Sequence, residues 1–291
     1  MVSVIKKKKG TKKAYYLHMT LRSKKGYKNL DKYIGMELPT DLRTQKLDFF
    51  ISSQQEQLEK ISEQISKQNT QKSKIPKTVQ ENQMFDFAVK FTYNTSRIEG
   101  NTLSLKDSYL LLKDQISPQK PMRDIKEIES HQKLFLELIK KSQKISYQNL
   151  INWHYYLFKD TKKDIAGKIR NYQVGISGCK FLPPSPAELS AEISDFFKWY
   201  DKNKSKYNPV ILAGLVHLRL VTIHPFGDGN GRITRLLMNI ILNNNNCPLF
   251  IIDYKNKKSY YSALERSQVK EDDSYFLSWF LKSYLVFIKH K

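Results

Sequence analysis

Apolar positions in this chain recur at helical spacing over most of its length, and the pattern breaks at two places. From residue 78 onward the three- and four-residue steps predict helices at about 78–98, 104–114, 122–142, 146–158, 187–202, 208–223, 230–243, 258–267 and 273–289. Between residues 41 and 70, Leu47, Ile51, Gln54, Leu58, Ile61 and Ile65 alternate steps of four and three, which predicts one long helix. Such a stripe suits a coiled-coil seam or a face docked on the main body, and its shortness and Gln54 favour docking. Residues 69–77 are polar and read as a linker. The first break is "KKAYYLHMTLRSKKGYKNLDKYIGM", residues 12–36, where strand formers flank Lys24–Lys25–Gly26 and predict a basic β-hairpin. The second is Gly167 to Pro186, whose glycines, β-branched residues and prolines predict a short hairpin and an extended turn. The expected architecture is all-α. A helical bundle carries a short β-hairpin flap and is preceded by a small β-hairpin and a long helix, in units 1–40, 41–77 and 78–291.

Composition narrows the class. The chain has 291 residues, 40% hydrophobic and 27% charged, as expected of a protein with a packed core. No apolar run approaches the ~18–20 residues that span a bilayer, so no membrane partner is expected. The start, MVSVIKKKKG, places a short apolar stretch before the lysines. A secretory signal has the reverse order, and a cytoplasmic protein is expected. Cys179 and Cys247 lie far apart with no CxxC pair, which argues against a disulfide scaffold or a thiolate zinc site. The formal net charge is +22, and residues 1–50 hold 13 Lys or Arg against 4 Asp or Glu. That balance favours polyanionic partners, and a lysine-rich background composition accounts for it equally well. A nucleic-acid-binding regulator acting through the basic N-terminus is therefore kept as an alternative, although no basic helix interleaved with aromatics is found.

The chemistry concentrates in "HPFGDGNGR", His224 to Arg232. It does not match a P-loop, a dinucleotide fingerprint, an EF-hand or a zinc-protease helix. It reads as a loop opening a helix whose apolar face is Ile233, Leu236, Leu237, Ile240 and Ile241. The first N–H groups of a helix lack internal acceptors. With glycines before them, the backbone forms an anion nest at the positive end of the helix dipole. Arg232 and Arg235 suit a polyphosphate, Asp228 offers a hard oxygen to Mg²⁺, and His224 can take a proton from a hydroxyl. Singly, each has a plain structural explanation. Their combination within twelve residues favours a site.

HPFGDGNGRxxR resembles the signature of the Fic family. The resemblance extends to "GLVHLRLVTIHPF" upstream, where Leu220 replaces the usual Phe, and to the flap-like "AGKIRNYQVGISG" and the base-segment-like "SYYSAL". "TSRIEGN" resembles the inhibitory pattern of that family, with Thr95, Glu99 and Gly100 in place. The resemblance implies transfer of AMP from ATP, with Mg²⁺ or Mn²⁺, to a Ser, Thr or Tyr hydroxyl of a target protein or of the chain itself. His224 would be the base and Asp228 the metal ligand. Gly229, Asn230, Gly231 and Arg232 would cradle phosphates, and Arg235 would grip the γ-phosphate. Tyr260 and Tyr261 would line the adenine pocket, with Gln268 near the position of the usual Asn. Val174, Gly175, Ile176 and Ser177 would pair with an extended target segment. Gly231, in place of the Lys of a kinase branch, favours nucleotidylation. Glu99 would pair with Arg235 and hold ATP unproductively. AMP removal, or transfer from another nucleotide or a phosphocholine donor, stays open, as does a homodimer.

Overall fold

The computed structural model describes residues 1–9, 12–23, 26–176 and 178–290. Three antiparallel strands come first: β1 (Ser3–Lys9), β2 (Lys12–Ser23) and β3 (Gly26–Gly35), in the order β1-β2-β3. The expected hairpin is thus the second half of a three-stranded meander. β1 was hidden in the lysine run, because an edge strand needs backbone pairing more than apolar side chains, and lysine is a common edge residue. One face of the sheet sends Leu17 and Met19 into the main core. The other carries Tyr16 edge-on to Tyr33, and Asp31 between Lys7 and His18.

The predicted long helix is two helices, α1 (Leu42–Ser53) and α2 (Gln55–Lys72). The hydroxyls of Ser52 and Ser53 donate to the carbonyls of Phe49 and Phe50, at 2.9 and 2.5 Å. Such local bonds compete with the helical ladder, and the chain turns at Gln54, φ −96° and ψ 13°. The stripe still docks. Leu47 and Ile61 are buried in the core, and Ile51, Leu58 and Ile65 pack against it.

Nine helices follow, as expected, among the described residues: α3 (Lys77–Ile98), α4 (Leu105–Leu112), α5 (Met122–Ile139), α6 (Tyr147–Phe158), α7 (Leu189–Asn203), α8 (Pro209–Ile223), α9 (Asn230–Asn244), α10 (Lys257–Lys270) and α11 (Ser274–Lys289). α8 is apolar almost all round and correspondingly central. It forms a hairpin with α9, and the loop 224–229 joins them. α3, α5 and α6 pack on α9 from one side, and α11 lies on α8. One core runs from the sheet through all of these, with a satellite of Leu103, Leu111, Ile125 and Ile128 near α4. No helix among the described residues is long and apolar enough to cross a membrane.

The flap departs from expectation. Residues 167–186 contain turns and extended backbone but no strand among the described residues. Pro183, Pro184 and Pro186 lack N–H donors for a ladder. Arg170 instead takes the carbonyls of Tyr172 and Pro184, at 2.9 and 2.6 Å.

α8 and α11 meet at Gly214, where an added Cβ would lie 2.8 Å from the Phe280 ring and 2.9 Å from Leu277. Gly214→Ala is expected to cost about 1–3 kcal/mol of stability by overpacking, read as a lower urea midpoint at unchanged m-value.

Candidate active site

α8 ends at His224, which adopts the left-handed conformation, φ 52° and ψ 57°, just before Pro225. This turn swings the imidazole out of the helix line. Its Nδ1 lies 3.2 Å from the Val221 carbonyl. A carbonyl only accepts, so Nδ1 carries the proton and Nε2 keeps its lone pair. Burial, only partly offset by the Val221 carbonyl, lowers the pKa of the ring below the ordinary histidine value. The result is a neutral imidazole with one basic nitrogen free.

The loop after it is closed by its own side chains. Asn230 donates to the Phe226 carbonyl at 2.8 Å and accepts the Phe226 N–H at 2.9 Å. Gly229 has φ +80°, open to glycine at little cost, and a Cβ there would strike the Phe158 ring at 2.3 Å. Its N–H donates to Asp228 Oδ1 at 2.5 Å. The first capping bond of α9 runs from Ile233 N to Gly229 O, at 3.0 Å. The N–H groups of Asn230, Gly231 and Arg232 therefore precede the intrahelical ladder and point out of the helix start.

Two residues outside the motif tie this loop down. His154 donates from Nε2 to the Asp228 carbonyl at 2.9 Å, because its Nδ1 accepts the Gly167 N–H at 3.0 Å. Its ring stacks on Phe226 at 3.8 Å. Arg170, also buried, donates Nε to the His224 carbonyl at 2.9 Å, and its N–H reaches the Pro225 carbonyl. It thus joins the flap base to the His224 turn.

Both arginines are buried, and each is bonded to an internal carboxylate. Arg235, 1% exposed, donates Nε to Thr95 Oγ1 at 2.6 Å and Nη2 to Glu99 Oε1 at 2.5 Å and to the Thr95 carbonyl. Nη1 reaches the Tyr260 hydroxyl at 3.3 Å. Burial alone would lower the pKa of this guanidinium, but Glu99 outweighs it and the net direction is up. Gly100, φ +94°, turns the chain immediately after Glu99. A Cβ at Gly231 would lie 2.2 Å from Glu99 Oε1, so that carboxylate rests directly on the α9 start. Arg232 is held by Glu127, with its Nη2 3.3 Å from Asp228 Oδ1, and lies over the Phe158 ring. Burial would raise the Asp228 pKa, but Arg232, Lys162 and the Gly229 N–H overcome it and bring it to about 2.

The structure therefore brings His224, Asp228, Gly229, Asn230, Gly231, Arg232, Arg235, Thr95 and Glu99 into one mouth. Tyr260 is fully buried, its hydroxyl braced between His217 and Arg235. Tyr261, 37% exposed, reaches the rim, its hydroxyl 3.5 Å from the Ile98 carbonyl. Gln268 is buried against Thr222. In the flap, Gly175 is exposed and Val174 and Ile176 are half-buried, with a turn from Ile176 O to Cys179 N. Ser177 lies outside the described residues. Sequence reasoning missed Arg170, Glu127 and Lys162, and saw in His154 only a structural residue. The one available signal was Glu127, an acid within the apolar stripe of α5 four residues before His131.

Residues 144–242 match the model of the Fic/DOC family. The chain carries a Fic domain. It is 33% identical over 181 residues to "Protein adenylyltransferase fic-1" of Caenorhabditis briggsae, covering 60% of this chain and 35% of that protein. It is likewise 33% identical to "Protein adenylyltransferase Fic" of Nematostella vectensis, covering 60% and 42%. The chain thus spans well under half the length of these relatives. Among solved structures, Fic-1 residues 134–508 of C. elegans match with TM-score 0.70 and 26% identity, over 86% of this chain and 74% of that one. A Fic-domain protein of Bacteroides thetaiotaomicron shares the fold at TM-score 0.71 and 24% identity, over 79% and 94%.

The donor set fits a divalent ion that arrives with a phosphate ligand. Asp228 is ionised, and no group of three or more His, Cys, Asp or Glu that could hold a metal alone occurs among the described residues. A single carboxylate completed by phosphate oxygens is a usual Mg²⁺ arrangement.

Three histidines around the Fic-domain loop are buried and neutral. Burial, helped by Arg232 and Arg235, pushes His131 to about 3, and burial and Arg235 push His217 to about 3. Burial, only partly offset by the Asp228 carbonyl, takes His154 to about 4. Unfolded histidine titrates near 6.5, so below that pH the unfolded chain binds more protons and stability falls. Unfolding free energy is expected to drop by up to about 4 kcal/mol per pH unit between pH 6 and 4. Urea unfolding at pH 7 and 5 checks this, and an unchanged midpoint contradicts it.

Proposed function

We propose that this Fic-domain chain is a self-inhibited protein adenylyltransferase, transferring AMP from ATP to a hydroxyl of a target protein. The observation that carries the reading is the mouth of α9. It combines an imidazole with a free basic nitrogen, an ionised aspartate and outward N–H groups, under a carboxylate bonded to Arg235. The names of the relatives support the nucleotide and the reaction class.

In this reading the hydroxyl oxygen of the target attacks the α-phosphorus of ATP, its proton passes to His224 Nε2, and pyrophosphate leaves. The N–H groups at the start of α9 and Arg232 hold phosphate oxygens, which are fixed before the reaction begins. Mg²⁺, held by Asp228 and phosphate oxygens, would neutralise charge on the triphosphate. The segment Val174–Ile176, exposed at Gly175, gives an extended target segment a surface to bond to, with little reading of sequence. Glu99 inhibits by two physical effects. It occupies the guanidinium of Arg235 that the γ-phosphate needs, and its charge repels the triphosphate at Gly231.

Glu99→Gly is expected to raise labelling by α-³²P-ATP roughly ten- to a hundredfold, the worth of a charged hydrogen bond. In that background His224→Ala should lower the rate by about 10²–10⁴. Absence of labelling by the Glu99→Gly variant, with Mg²⁺ or Mn²⁺, contradicts the reading. The rate should also rise with pH to a plateau, since His224 must be unprotonated to accept a proton. Its lowered pKa places the midpoint of that rise below 6.5. A midpoint above 6.5 in a pH–rate profile of Glu99→Gly excludes His224 as the base.

A further inference from the structure

We propose that Lys162 is a resident cation on Asp228, and that a divalent ion arriving with nucleotide displaces it onto Glu127. The inference rests on the nucleotide-binding reading above and deepens it.

Both oxygens of Asp228 are engaged. Oδ1 accepts the Gly229 N–H at 2.5 Å and faces Arg232 Nη2 at 3.3 Å. Oδ2 is bonded to the ammonium of Lys162. A divalent ion must approach one of these oxygens. Gly229 and Arg232 are fixed by the α9 start and by Glu127, so Oδ1 is closed. Oδ2 is held by a flexible side chain that can leave. The two cations cannot share it, because they would repel within a few ångströms in a half-buried site.

The second seat already exists. Glu127 Oε1 is buried and accepts no hydrogen bond among the described residues. Lys162 Nζ lies only 3.3 Å away from it, and Arg123 Nε is at 3.5 Å. The other oxygen of Glu127 is held by Arg232, so the carboxylate stays in place while Lys162 moves. The Lys162 backbone is anchored too. Its N–H donates to the Phe158 carbonyl at 2.8 Å, and its carbonyl accepts from Ala166 at 3.0 Å. Rotation of the four-carbon stem, with a side chain 18% exposed, carries the ammonium from one acid to the other. An unsatisfied buried acceptor is costly, and the exchange satisfies it as the metal takes Oδ2.

The test uses the full chain with Glu99→Gly, α,β-methylene ATP as a nucleotide that cannot lose pyrophosphate, and Mn²⁺ followed by electron paramagnetic resonance. Lys162→Met should tighten Mn²⁺ binding in the presence of nucleotide by roughly tenfold, the scale of one charge-assisted hydrogen bond. Lys162→Arg, which keeps the competing charge, should stay near the parent. Equal or weaker Mn²⁺ binding by Lys162→Met overturns the proposal. Lys162→Gln serves in its place if the Met variant unfolds early in a thermal melt. A crystal structure of the parent with Mn²⁺ and the analogue should show Lys162 Nζ on Glu127 Oε1, and Lys162 still on Asp228 beside the metal overturns it. If the parent binds no nucleotide, the functional reading itself fails and this inference with it. Binding that is indifferent to Lys162 removes the inference alone.

Discussion

A guanidinium removed from water must find its acceptors within the protein, and Arg235 sets that demand for the whole molecule. It is 1% exposed, and apart from the Tyr260 hydroxyl its acceptors come from one distant segment: the Thr95 hydroxyl and carbonyl and the Glu99 carboxylate, all at the end of α3. An isolated buried charge is prohibitively costly. α3 must therefore end against α9, and where it ends, Glu99 falls on Gly231. The position of the Glu99 carboxylate is thus a consequence of solvating one cation. Arg232, one turn earlier, does the same with α5 through Glu127. Two arginines on one helix fix two neighbouring helices around the loop.

The loop is rigid for a related reason. His224 sits in a strained left-handed conformation, and strain persists only where surroundings over-determine it. Those surroundings are Arg170 on its carbonyl, Pro225 after it and the Val221 carbonyl under its ring. Asp228 is held likewise through its own carbonyl by His154. The backbone donors and the imidazole are thereby positioned by bonds to other parts of the fold, the arrangement that lets a site act without reorganising.

How much of this could be read in the chain follows from the range of each interaction. The nine helices from α3 to α11 are written in local periodicity, and the site loop in nine consecutive residues, so both were legible. The Glu99–Arg235 pair spans 136 residues and could be named only through the family resemblance. Glu127 and Lys162 meet the site across 105 and 66 residues, and only Glu127, an acid within the apolar stripe of α5, left any local mark. β1 was concealed because its lysines read as a charged tail, while its pairing to β2 is a backbone property. The break at Gln54 came from two serines bonding back to the helix, which a heptad count does not register. A tyrosine next to a base-binding pattern looks the same in sequence whether its ring faces a ligand or the core, and the burial of Tyr260 against His217 shows only in the fold.

These contacts share one electrostatic design. Arg235 is matched by Glu99, Arg232 by Glu127 and Asp228, and Lys162 by Asp228 and Glu127. Each cation suited to a polyphosphate already has an internal carboxylate. Under the proposed activity, nucleotide binding at this mouth is therefore an exchange of anions and not the filling of an open positive site. Its free energy is the small difference between two sets of strong, partly desolvated interactions. Small changes on the protein side then shift it far. Loss of a single internal carboxylate frees one cation outright, whereas loss of a cation leaves a buried acid unpaired and damages the resting fold as well. That asymmetry makes the acids, more than the arginines, the residues through which such a site can be set on or off.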